Sequence, residues 1–225
     1  MVTKQVQLET PKQENGSRRE RRREELRERI FQAAIRLFIE QGFFNTTVEQ
    51  ITEVADVGKG TFFNYFESKE HLVLKLTEAQ EAVLRKAVSQ LDSAVSVRSL
   101  LQTLQHQIAA GPGRSQLMLR SLLGCAYTND IVWERFKQLL GLARELISQI
   151  MRRGQELGEI RVDIPPLELA RLYQQMVFGT NAIWSLHPPA NLDEWIDRTF
   201  DIFWRGIAAE AQPVPRAARP LSSSS

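Results

Sequence analysis

The sequence predicts an all-α protein, with an N-terminal three-helix domain built around a helix-turn-helix and a larger helical domain behind it. Three observations predict this. Thr46 to Leu72 reads TTVEQITEVADVGKGTFFNYFESKEHL, two short apolar-periodic segments either side of a tight Asp56-Val57-Gly58 turn. Beyond about residue 95 the apolar pattern stays helical throughout. The length of 225 residues exceeds one typical domain of about 150 and falls short of two, which suits a small module with a larger companion.

Val48, Ile51, Val54 and Ala55 share one face of the first short segment. In the second, Phe62 and Phe66 lie four apart, and a rotation of about 100° per residue puts Gly60, Thr61, Phe63 and Asn64 around the opposite side. The helix is thus pinned by two rings and shows its other face to something.

Composition bounds the rest. Hydrophobic residues make up 43% and charged residues 25%, as in a chain with a real core. The net charge of +2 announces no nucleic-acid partner by itself, but Ser17 to Arg29 holds seven Arg against four Glu. That run reads either as a solvated, salt-bridged helix face or as a contact to a DNA backbone. A single cysteine, Cys125, rules out an intrachain disulfide and suits a reducing cytoplasm. No apolar run approaches the roughly 18 residues needed to cross a bilayer, and no signal-peptide core is visible, so no membrane association and a cytoplasmic location are expected.

Taken in order, residues 1–16 are polar and aperiodic and are expected to be disordered. A first amphipathic helix carries Leu26, Ile30, Ala33, Ala34, Leu37 and Phe38 and closes at Gly42. Both Thr46 with Glu49 and Thr47 with Gln50 have capping-box spacing, so a second helix starts there. Ser68 is expected to cap a fourth helix, reaching to about residue 92 with Leu72, Leu76, Val83, Ala87 and Leu91 as its stripe and linking domains 17–75 and 76–211. Further helices are expected over Val97–Ala110, ended by Gly111-Pro112-Gly113, and over Ser115 to about Thr128. Asn129 or Asp130 opens one to about Leu157, stopped by Gly158, and Pro165-Pro166 opens one to about Leu186. Asn191 begins the last, to about Ala211, and residues 212–225 form a second disordered tail.

The last two helices are unusually apolar. Leu169, Met176 and Ile183, with Ile196, Phe200, Phe203 and Trp204, are expected to form a four-helix homodimer interface with a second copy. The alternative is that they close the core of a monomer.

The residues from Arg29 to Leu76 resemble the DNA-binding domain of the TetR family of bacterial transcriptional regulators. The resemblance rests on Ala33-Ala34, Leu37-Phe38, Gly42-Phe43, Thr47-Val48, Ile51, Ala55, Val57, Gly60-Thr61, Phe63, Tyr65-Phe66, Lys69-Glu70 and Leu72. It implies a homodimer whose paired recognition helices enter successive major grooves of a palindromic operator, about 34 Å apart. It also implies a variable C-terminal domain that binds a small-molecule effector, with no cofactor and no enzyme activity. Carried over by position, Lys59, Gly60, Thr61, Phe63 and Asn64 face the groove, while Thr47, Tyr65 and Lys69 hold phosphates. Four positions depart from the family pattern: Thr52 for Ala, Asp56 for Gly, Gly58 for a Ser cap, and Phe63 for Tyr. Phe63 lacks the hydroxyl that would hold a phosphate and offers a van der Waals contact instead.

No catalytic constellation is visible, because His71, His106 and His187 lie far apart in sequence and no HExxH, GxSxG or P-loop pattern occurs. No metal site is expected. Met118, Leu122, Tyr127, Trp133, Phe136, Phe178, Asn181 and Trp184 are the candidates to line an effector cavity, one suited to a hydrophobic or aromatic ligand. The expected function is a dimeric, ligand-released repressor. The alternative is a dimeric regulator with no small-molecule effector, controlled by a protein partner.

Overall fold

The computed structural model describes residues 13–93, 96–110, 114–187 and 191–209, with side chains from residue 18 onward. Of the expected disordered segment 1–16, residues 13–16 are instead the first turn of a helix; residues 1–12, the tail 212–225, the Gly111-Pro112-Gly113 break and the Pro188-Pro189 stop lie outside the described residues. The helices are α1 (Gln13–Gln41), α2 (Val48–Val54), α3 (Lys59–Phe63), α4 (Glu70–Ser89), α5 (Val97–Ala110), α6 (Gln116–Thr128), α7 (Asp130–Glu156), α8 (Pro166–Leu186) and α9 (Leu192–Ile207). The all-α expectation holds among the described residues, whose only extended pairing is one bridge between Ile160 and Ala208.

Local chemistry sets most boundaries. α1 ends at Gly42, whose φ of +83° suits a residue without a Cβ; a Cβ there would also lie 2.8 Å from Ser121 Oγ. Of the two possible caps for α2 the fold uses Thr47: its side chain accepts from Gln50 N–H at 3.2 Å, and Gln50 Oε1 accepts from Thr47 N–H at 2.9 Å. The expected Ser68 cap does not form. Lys69 is the N-cap of α4, with no side-chain cap bond, and Ser68 Oγ lies 3.3 Å from His71 Nδ1 instead. α9 stops at Ile207 rather than near Ala211, because Ala209 N–H turns aside to donate to Glu159 C=O at 2.9 Å. Asn191 caps it by accepting from Asp193 and Glu194 N–H.

Gly158, at φ +72°, reverses the chain after α7. The reversal brings the Glu159 carboxylate to the start of α5, where both oxygens accept from Val97 N–H at 3.0 Å. A carboxylate at a helix N-terminus satisfies free amides and opposes the helix dipole. The sequence gives no local hint that a residue 62 positions away caps α5.

Two apolar clusters result. One holds α1 to α4 around Ile30, Phe38, Ile51, Phe62, Phe66 and Leu72; the other holds α4, α5, α7, α8 and α9 around Leu101, Leu104, Ile150, Tyr173 and Phe200. The clusters do not divide where the chain does. Met118, Cys125 and Ala126 of α6 and Val132 of α7 belong to the N-terminal cluster, so the second domain reaches under the first. Lys75 Nζ ties α4 to α1 through Glu28 at 2.5 Å and lies over the Phe31 ring.

α5 and α9 run antiparallel and are laced by a polar ladder at four-residue spacing. Arg98 pairs with Asp201, Gln102 Nε2 donates to Asp197 at 2.7 Å, and His106 bridges Asp197 at 2.8 Å and Asp193 at 3.2 Å. Arg114 then grips Asp193 with two bonds, at 2.7 and 2.8 Å.

Candidate nucleic-acid interface and effector core

Asp56 makes the sharp turn between α2 and α3 in a left-handed conformation, φ +50°, which Asp tolerates better than most residues. Its carbonyl accepts from Arg29 at 3.2 Å, which fixes the turn to α1. Gly58 caps α3 with backbone alone. Beneath α3, Phe62 and Phe66 are buried with ring centroids 5.8 Å apart. Above it, Lys59, Gly60, Phe63 and Asn64 are exposed and Thr61 half-buried. Phe63 keeps 51% of its surface in water, with its ring edge-on to Phe62 at 5.3 Å between centroids. A Cβ on Gly60 would meet nothing within 4 Å, so the space over that residue is open to an incoming partner.

The charged members of the predicted set behave differently from one another. Lys59 forms an ion pair with Glu49 of α2, and this contact holds the Glu49 carboxyl below its usual range. Both groups are exposed, so the pair is weakly held and Lys59 remains free to exchange the carboxylate for a phosphate or base edge. Lys69 is not free. Its Nζ donates to the carbonyls of Phe43 and Thr46, both at 2.8 Å, and sits 4.4 Å from the Phe43 ring centroid. The phosphate contact expected of Lys69 is therefore corrected: its charge is turned inward, where it clamps the loop between α1 and α2. Thr47 is exposed beside the start of α2, and Tyr65 is half-buried with Arg23 of α1 lying 5.9 Å from its ring centroid.

Residues 30–76 match the family model for bacterial regulatory proteins of the tetR family. Those residues form a TetR-family DNA-binding domain. Among the chain's relatives, the transcriptional repressor DhaR of Mycobacterium sp. strain GP1 is 27% identical over 148 residues, 64% of this chain and 75% of that protein. The fatty acid metabolism regulator of Bacillus subtilis strain 168 is 24% identical over 67% of this chain and 77% of its own. The structure of the Thermus thermophilus TetR-family repressor FadR, in complex with lauroyl-CoA, is 26% identical with a TM-score of 0.60, covering 85% of this chain and 100% of that one. With this domain and these relatives, the chain is a DNA-binding transcriptional regulator and not an enzyme. No helix among its described residues is long and apolar enough to cross a membrane.

The predicted effector residues do not converge on one cavity. Met118 is fully buried, but in the N-terminal cluster between α6 and α1, with Leu122 partly buried beside it. Tyr127 is 68% exposed. It heads a row of rings across α6, α7 and α8, with centroids 5.5 Å from Tyr127 to Trp133, 6.5 Å on to Phe136 and 6.2 Å on to the exposed Phe178. Asn181 donates to Val177 C=O of its own helix, and Trp184 is buried.

Sequence reasoning missed Gln105. It is fully buried in α5, and neither its Oε1 nor its Nε2 has a hydrogen-bond partner among the described residues. Tyr173, also fully buried, donates to Leu101 C=O at 2.6 Å, one helical turn away along α5. The signal was present: Gln105 interrupts the apolar face of Leu101, Leu104, Ile108 and Ala109. Burial pushes the Cys125 thiol up to about 11, which leaves it an inert core residue.

The expected dimer set also divides. Leu169, Ile196 and Phe200 are fully buried within the protomer and cannot touch a second copy, so for these three the monomer-core alternative is the correct one. Phe203 and Trp204 pack against the same core and stay partly accessible. On α8 Leu172, Ile183 and Leu186 face outward, with Gly179 among them and Met176 partly buried against the core, and on α9 Ile202 is 69% exposed.

Proposed function

We propose that this chain is a repressor that binds a twofold-symmetric operator as a homodimer and is released when an amphipathic molecule enters the core of its C-terminal domain. The observation that carries the proposal is the outward face of α3. Two buried rings fix the helix, and an exposed Phe63, an open Gly60, Asn64 and an exchangeable Lys59 face away from the protein. Asn can pair bidentately with adenine, Lys can reach guanine, and an apolar ring suits a thymine methyl. Thr47 and Tyr65 would hold the flanking phosphates.

The stripe on α8 supports the homodimer. Leu172, Met176, Ile183 and Leu186 recur at coiled-coil spacing, and Gly179 lets a second helix approach closely. A twofold axis through this stripe would present two α3 helices to successive major grooves.

Gln105 supports the effector. A buried amide without partners costs about 1–3 kcal/mol, which a ligand carbonyl, hydroxyl or amide would recover. Its surroundings in the apolar core suit a hydrophobic body. The lauroyl-CoA bound to the Thermus relative and the fatty-acid role in the name of the Bacillus relative favour an acyl chain. A regulator controlled by a protein partner is favoured by one feature alone, the exposed aromatic row from Tyr127 to Phe178.

The test begins with selection of bound DNA from a random pool. A palindromic consensus, a dimer by sedimentation and a monomer for Ile183→Glu are expected, as is operator release by lauroyl-CoA but not by CoA. An asymmetric site or an unaltered oligomer in the variant refutes the dimer, and no response to any acyl compound refutes the effector.

A further inference from the structure

We propose that the N-terminal end of α1 is a second DNA contact, in which an arginine face formed by Arg18, Arg19, Arg22 and Arg23 grips backbone phosphates beyond the sequence read by α3. The proposal rests on the operator reading above. It concerns a segment that neither the matched residues 30–76 nor the recognition helix includes.

The charge run left two readings open, and the helix separates them. At about 100° per residue, these four arginines fall within an arc of about 140° that also contains Leu26 and Ile30, the face turned toward the helix-turn-helix. Glu20, Glu24 and Glu28 occupy the opposite side, and Glu25 lies at the border beside Arg18. The two ion pairs of this segment, Arg21 with Glu25 at 3.6 Å and Arg27 with Glu24 at 3.8 Å, form on that acidic side. Arg18, Arg19 and Arg22 are exposed and pair with no described carboxylate. Arg21 and Arg27 sit among the glutamates and are paired there, whereas Arg18, Arg19 and Arg22 gather on one side with no carboxylate partner among the described residues.

Position gives the face its partner. Where it meets the domain, Arg23 lies over the Tyr65 ring, Arg27 is 5.8 Å from the Phe66 ring centroid, and Arg29 holds the turn before α3. The arginine face therefore starts at the flank of the recognition helix. From Leu26 back to Arg18 the helix advances about 12 Å, a little over three base pairs of duplex. Residues 13–25 contain no apolar residue, so this stretch has no core to pack against. Arg18 with Arg22 and Arg19 with Arg23 are like charges at i,i+4, which repel. A short polar helix with such repulsion is marginal in water, and a polyanion laid along the face removes the repulsion. Arginine binds phosphate bidentately, which suits a duplex backbone. A lipid surface fits poorly, because residues 13–25, the part of the helix beyond the core, carry no apolar residue to insert.

The experiment uses the full chain with Arg18→Ala, Arg19→Ala and Arg22→Ala combined, leaving Arg23 against Tyr65. Alanine has the highest helix propensity, so the segment keeps its conformation. Affinity for the selected operator is measured from 50 to 200 mM salt, with long flanks and with flanks trimmed by four base pairs on each side. Each lost phosphate contact lowers the log–log salt slope by about 0.9, so six arginines in a dimer lower it by up to about 5. The expected result is a slope reduced by at least one, at least tenfold weaker binding at 150 mM salt, an unchanged consensus, and sensitivity to trimming only in the wild type. A slope change below one, an affinity loss below tenfold, an altered consensus, or equal sensitivity to trimming overturns the proposal. So does a variant that keeps its slope while losing affinity for vesicles of phosphatidylglycerol. If the wild type itself selects no DNA, the operator reading fails as well; failure of the arginine face alone leaves wild-type selection intact.

Discussion

Lys69→Met tests whether a lysine that sits at a phosphate position by sequence has been taken for internal use. Methionine keeps the aliphatic stem and removes the charge. The side chain makes two charge-assisted hydrogen bonds at 2.8 Å, to the carbonyls of Phe43 and Thr46, and lies over the Phe43 ring. Hydrogen bonds to a charged group contribute about 1.5–3 kcal/mol each, and the ring contact about 0.5–1. The sum is an upper bound. Lys69 is only half-buried, so water can reach part of the gap, and Phe43 C=O keeps a bond from Thr46 N–H at 3.3 Å. We expect a net loss of about 3 kcal/mol in the N-terminal domain, read by urea denaturation followed through a probe in that domain. At concentrations where the variant is folded, its salt slope for operator binding should match the wild type to within about 0.5. A slope lowered by about 0.9 per protomer, with unchanged stability, would refute the inward assignment and restore Lys69 to the phosphate set.

Other predictions follow from the same geometry. Gln105→Leu should leave the unliganded protein equally or more stable by about 1–2 kcal/mol, since it removes an unpartnered buried amide, while abolishing the melting shift produced by lauroyl-CoA; a destabilised variant that still responds to ligand would contradict the anchor. Gly42→Ala combines a left-handed backbone with a Cβ 2.8 Å from Ser121 Oγ, and should cost about 1–2 kcal/mol, measurable as a lower denaturation midpoint. Hydrogen bonds from Arg114 hold the Asp193 carboxyl below its usual range, and a bond from His106 does the same for Asp197. Their folded values lie below the unfolded ones, so the stability they add is present above about pH 4 and is lost as pH falls through the lowered values. Asp193→Asn with Asp197→Asn should therefore flatten the acid limb of a stability profile between about pH 5 and 2.5. Cys125, raised to about 11 and buried, should react with a disulfide reagent at pH 8 only as fast as the protein opens; immediate labelling would place the thiol at the surface.

Helix positions were largely legible in the sequence because their causes are local. The expected span Val97–Ala110 is the one observed, and Thr47, Asn129 and Asn191 cap helices where their side chains reach the next free amides. The pinning of α3 by Phe62 and Phe66 was equally local, since four-residue spacing puts both rings on one side. Most of the errors have a common origin. Lys69, Leu169 and Phe200 were assigned without sight of their tertiary neighbours, and each was decided by residues far off in the chain; Ser68 alone is set locally, by His71. Lys69 turns inward because carbonyls 23 and 26 residues away offer it two acceptors. Periodicity identified α8 and α9 as rich in apolar surface, but it could not say which residues the protomer would spend on itself.

By itself the sequence determined that the chain is all-α, where most helices begin and end, and that α3 keeps one face free; these follow from propensity, capping and period, which act within a few residues. Only the tertiary structure decided that Leu172 and Ile183 stay outside while Leu169 and Phe200 close the core, that Gln105 is buried without a partner among the described residues, and that Glu159 caps α5. Burial is a property of what packs against a side chain, and that neighbour comes from elsewhere in the chain.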